Sequence, residues 1–157
     1  MNDVRTFLRH TLATLAYRGG KAIRNCGPDF AAYGGVDNPR TPGKILAHIG
    51  DLMEWALSMA EGKQAWHDSK PLTWEQECAR FFAALKKFDD YLASEQPLQA
   101  PAEKLFQGPI ADALTHVGQI AMLRRICGVP ITGENYFVAD VAVGRVGADQ
   151  AAPRKEF

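Results

Sequence analysis

Apolar residues recur at three- and four-residue spacing in four long stretches, a pattern that predicts four amphipathic helices. In the first, from Asn2 to about Asn25, one face carries Val4, Phe7, Leu8, Leu12, Leu15 and Ala16. Asn2 or Asp3 is placed to accept from the free amides at its start, and Gly19-Gly20 is expected to weaken its last turns. The second opens sharply, with Thr41 as N-cap and Pro42 at the first helical position. Ile45, Leu46, Ile49, Leu52, Met53, Ala56 and Leu57 then form a wide apolar face that ends near Gly62. In the third, Thr73 and Gln76 have the spacing of a capping box, and Phe81, Phe82, Leu85, Phe88 and Leu92 line the inside to about Ser94. The fourth has Pro109 near its start and Gly128 and Pro130 just past its end. Its apolar positions are Ile110, Ala113, Leu114, Val117, Ile120, Ala121 and Leu123.

The connections follow from their punctuation. Residues 26–41 are rich in glycine, proline and Asn-Pro and read as a long crossover over one end of a bundle. A second connection holds Trp66, His67 and Pro71, and Pro97 and Pro101 interrupt the approach to the fourth helix. Beyond Gly128, a short helical turn is expected around Tyr136, then an extended tail packed on the bundle, with residues 148–157 disordered. No stretch alternates as a strand would. The expected fold is therefore all-α, a four-helix bundle over residues 1–147 with a short C-terminal extension.

Composition narrows the function classes. A chain of 157 residues, 46% hydrophobic, forms one domain with a sizeable core. Eighteen basic side chains balance eighteen acidic ones, which argues against nucleic acid as a partner. The adjacent pairs Lys86-Lys87 and Arg124-Arg125 read as solvated helix positions. No apolar run approaches the ~18–20 residues that cross a bilayer, so no membrane association is expected. Cys26, Cys78 and Cys127 are odd in number and far apart, with no C-x-x-C. That excludes zinc ribbons, thioredoxin-like pairs and c-type haem attachment at the level of motif. With no secretory pattern in residues 1–5, the expectation is a cytoplasmic protein.

The informative residues are polar side chains on apolar faces. His48 lies three residues after Ile45 and four before Leu52, on the buried seam of the second helix. Asp112 and His116, four apart, share a face of the fourth helix with Ile120. Ionisable groups aimed inward from two helices are costly unless they share a partner, and a divalent metal accepts imidazole nitrogen and carboxylate oxygen together. The competing structure is a buried Asp–His hydrogen bond with no metal; Asp112 also suits a first-turn carboxylate favoured by the helix dipole. His10 and His67 read as solvated. The patterns Glu-x-x-His and His-Glu-x-x-His are both absent. Trp55, two turns along the stripe from His48, fits either a pocket wall or ordinary core packing.

The segment from Thr41 to Leu52, with His48-Ile49-Gly50-Asp51-Leu52 and then Trp55, resembles the second helix of the DinB/YfiT superfamily. The segment from Asp112 to Arg125, containing His116-Val117-Gly118-Gln119-Ile120 and followed by Gly128-Val129-Pro130, resembles that family's fourth helix. The resemblance implies an up-down-down-up bundle, homodimers, and a divalent metal held by three side chains for chemistry on a small-molecule substrate. Matched by position, His48 and His116 are ligands, and Gln119 lies near the site as a donor behind them. Asp112 stands where the family usually has histidine. The resemblance puts zinc or nickel first; a harder oxygen donor shifts the balance toward iron or manganese. Relatives are described as metal-dependent hydrolases or transferases of low-molecular-weight thiols, with a non-catalytic metal- or ligand-binding dimer as the alternative. The general base beside the ligands is not identifiable from sequence.

Overall fold

The computed structural model describes residues 3–35 and 37–157. Among them the secondary structure is helical, with no strand beyond one isolated bridge between Glu134 and Glu156. The elements are α1 (Asp3–Ile23), α2 (Pro28–Ala31), α3 (Pro42–Ala60), α4 (Trp74–Ala93), α5 (Ala102–Leu105), a π-helical turn (Phe106–Ile110), α6 (Ala111–Ile126) and a 3₁₀ turn (Tyr136–Val138). The four long helices pack in a ring. Helices α1 and α3 each contact both α4 and α6. Leu12, Leu15, Ile49, Met53, Leu85, Phe88, Ile110 and Ile120 fill the centre, all essentially inaccessible to water. Each such side chain contributes roughly 1.5–3 kcal/mol of transfer free energy.

Two predicted helix starts are seen in detail. The Thr41 hydroxyl accepts from the Lys44 amide at 3.3 Å, with Pro42 behind it. The Thr73–Gln76 capping box is complete in both directions. A cap of this kind is worth about 1 kcal/mol. Asn2 lies outside the described residues, and Asp3 is already inside α1.

Several expectations need correcting. Gly19 and Gly20 do not fray α1, which continues to Ile23. A Cβ at position 19 would lie 2.6 Å from the Phe81 ring, so glycine there lets α4 approach the backbone of α1. The 26–41 connection contains the short helix α2, whose Phe30 packs edge-on to Trp74 at 5.5 Å between centroids. Pro109 does not start the last helix. Pro101 precedes a continuous helical run from Ala102, and Pro109 lies inside its π-turn. A proline there can donate no bond to the preceding turn, and the wider π-turn accommodates the loss.

Arg124 is the clearest reversal. It is buried, and its guanidinium donates to the carbonyls of Lys21, Ala22 and Arg24 at 3.3, 3.1 and 2.8 Å and to Val129 at 2.9 Å. It thus serves the carbonyls at the end of α1, which have no partner within their own helix. The C-terminal segment, expected to be disordered over residues 148–157, runs back along the bundle. The Asn135 amide donates to Lys155 and the Phe157 amide to Gly133. Buried Glu134 accepts from Tyr17 and, at 2.8 Å, from Lys21, which also reaches Glu156 at 3.4 Å. The tail read as disordered in sequence because its partner Lys21 is more than a hundred residues away.

Candidate metal centre

Helices α3 and α6 pack against each other, and their contact brings three predicted residues together. His48 comes from the second turn of α3, Asp112 and His116 from successive turns of α6. One donor atom from each lies within 4.8 Å of the others. His116 Nε2 stands 3.4 Å from Asp112 Oδ1, and His48 Nε2 stands 3.8 Å from Asp112 Oδ2. The two imidazoles meet nearly perpendicular, with centroids 4.7 Å apart.

These separations suit a metal. Two ligand atoms each 2.0–2.1 Å from a tetrahedral ion lie about 3.4 Å apart, so the His116–Asp112 spacing already matches and the full set, within 4.8 Å, closes by about an ångström or so around an ion. The long Asp–His separations are also poor hydrogen bonds, which weakens the metal-free alternative. Gln119 Oε1 lies 2.7 Å from His116 Nδ1, and since the amide oxygen only accepts, Nδ1 donates. That places the proton on Nδ1 and leaves Nε2 with a free lone pair facing Asp112. Gln119→Leu should therefore lower metal affinity about 10- to 100-fold with the fold intact, as isothermal titration would measure.

Exposure is graded across the site. The side chain of His116 is 10% accessible, that of His48 28%, and that of Asp112 48%. The histidines form the floor and the aspartate the open side. Burial, then the neighbouring His116, holds His48 below its ordinary pKa, opposed in part by Asp112. The neutral imidazole, the ligating form, is the one this environment favours. Asp112 follows a π-turn and not a free helix end, so stabilisation by a helix N-terminus is not the reason for its position.

Sequence reasoning missed Trp66. Its ring stands 5.6 Å from that of His48, and Trp55 packs edge-on against Trp66, also at 5.6 Å. Trp66 is therefore the indole in ring contact with His48, and Trp55 packs on Trp66. Trp66 sits in the irregular 61–73 connection, which side chains of the helices brace on both sides. Ser58 Oγ accepts from the Ala65 amide at 3.0 Å, Asp51 Oδ2 from the Ser69 amide at 3.0 Å, and Glu77 Oε1 from the Leu72 amide at 3.0 Å. Arg80 ties the acids together. It donates to Asp51, to Glu77 at 3.3 Å, to Glu54 at 3.2 and 3.1 Å, and to the Ala47 carbonyl at 3.0 Å. A Cβ on Gly50 would come within 2.7 Å of Arg80 Nη1, so the glycine opens the path by which Arg80 crosses α3. The signal for this brace was present in Asp51, one turn from His48, but its cation lies on another helix.

His10 and His67 are exposed, as expected. The thiols of Cys26, Cys78 and Cys127 are free, and burial pushes Cys78 up to about 12. The chain matches no protein-family model, no curated protein and no solved structure. Among the described residues no helix is long and apolar enough to cross a membrane.

Proposed function

We propose that this chain is a four-helix bundle of the DinB/YfiT type, with up-down-down-up helix order, in which His48, Asp112 and His116 hold a divalent metal for chemistry on a small molecule. The reaction is hydrolysis or transfer of a low-molecular-weight thiol. The convergence of three donor atoms from α3 and α6 carries this reading. A divalent ion bound there supplies Lewis acidity toward whatever completes its coordination. The protein's part is to present two neutral imidazoles and one carboxylate. Gln119 orients His116, and Trp66 limits access on the His48 side. Zinc and nickel suit the two imidazoles, and the carboxylate extends the range to iron and manganese.

One observation favours a binding module over an enzyme. Asp51, the further carboxylate whose charge His48 feels, is already engaged by Arg80 and the Ser69 amide, so it is not free to act as a general base. On that alternative the centre of a homodimer binds a metal or ligand without turnover.

The test is metal analysis of protein purified without chelator and supplemented with each of zinc, nickel, iron(II) and manganese. Stoichiometric loading of at least one ion, lost with EDTA, is expected. Binding should weaken on acidification as protons compete for the imidazoles. Because His48 is held low, loading should persist below the ordinary imidazole pKa of about 6.5. No stoichiometric metal after supplementation would overturn both readings. Metal without turnover of esters, amides or thiol–electrophile pairs would favour the binding module.

A further inference from the structure

The wall of the metal centre bears on what the centre accepts. Trp66 is 40% exposed although its ring touches those of His48 and Trp55. An indole left half open next to a polar centre has an apolar surface with no partner from the chain. It is not a wandering side chain. The loop that carries it has no secondary structure of its own, yet it is hydrogen-bonded to Ser58 just before Trp66 and to Asp51 and Glu77 after it. Ordering an irregular loop costs conformational entropy at every residue, so the brace holds a specific surface at a specific place.

Charge supplies the second half. Two neutral imidazoles and one carboxylate leave a divalent ion with a net positive charge. Asp51, whose charge also reaches His48, offsets this only in part, because it is ion-paired with Arg80. Arg40, on the turn leading into α3, adds a positive charge that His48 feels. An anion is therefore favoured at the open coordination position, and the Trp66 face beside it favours a flat apolar group.

We propose that the centre binds a small organic anion bearing a flat apolar group, its carboxylate or similar head on the metal side and its flat part on Trp66. This rests on the metal reading above and adds Trp66 as the residue that determines specificity. The full-length protein loaded with cobalt(II) would be titrated with benzoate, acetate and benzylammonium, following the cobalt absorption bands and Trp fluorescence. Benzoate is expected to bind about tenfold more tightly than acetate, the range of one good aromatic contact, and benzylammonium more weakly than either. Trp66→Ala should bring benzoate down to the level of acetate and leave cobalt affinity within about twofold, since Trp66 supplies no ligand atom. Trp66→Phe should retain most of the preference. If cobalt loads but benzoate binds no better than acetate, the proposal is wrong and the metal reading stands. The same holds if benzylammonium equals benzoate, or if the preference survives Trp66→Ala. If wild type never loads cobalt, the metal reading fails and this proposal fails with it.

Discussion

Replacing His116 with alanine should lower divalent-metal affinity by about a hundredfold or more, beyond the range seen when only a supporting residue is removed. His116 is the most deeply placed of the three candidate donors, and its Nδ1 is held by Gln119. Its Nε2 is therefore ordered before any ion arrives, and that preorganisation is lost with the ring. Asp112→Ala should cost less. Its side chain is the most exposed of the three, so water can replace the oxygen it supplies. The ranking His116 over Asp112, read by titration with zinc or nickel, separates a built centre from a fortuitous cluster. Equal, small effects for both would argue for the cluster. Far-UV circular dichroism should show the helices unchanged, because neither side chain belongs to the apolar core.

Arg80→Leu should destabilise the metal-free protein by about 3–5 kcal/mol, the usual consequence of removing one partner from a buried ionic group. The side chains of Asp51 and Glu77 are 3% and 1% accessible, and Arg80 is the cation that both share. Without it their charges remain buried with only amide donors. Urea denaturation would report the loss as a lower midpoint with little change in slope. Adding Asp51→Asn and Glu77→Gln should recover part of it, since the stranded charges are then gone. The same substitution should loosen the 61–73 loop. Trp66 fluorescence should respond even where helix content does not.

That Arg80 joins stability to the site explains how much of this protein was legible in advance. Periodicity located the four long helices because amphipathic burial is a local pattern, repeated every three or four residues. The Thr41 and Thr73 caps were legible for the same reason: a cap and its amides lie within four residues. Periodicity singled out His48, Asp112 and His116 as polar side chains on apolar faces, resemblance to a family added Gln119, and α3–α6 packing brought His48 to the pair on α6. Arg124 was misread because its partners are the terminal carbonyls of α1, about a hundred residues away. Pro109 was misread because a proline usually marks a helix start, and only the neighbouring turns reveal that a π-turn absorbs it.

The sequence by itself determined which faces are apolar, where most long helices begin, and which polar side chains those faces carry inward. Tertiary structure decided what those side chains meet. A hydrogen bond or ion pair between distant residues leaves no periodic trace, since either partner alone looks like an ordinary surface charge. So it is with Arg80 among three acids, with Glu134 between Tyr17 and Lys21, and with Trp66 beside His48. Each exists only because helix packing closed the distance.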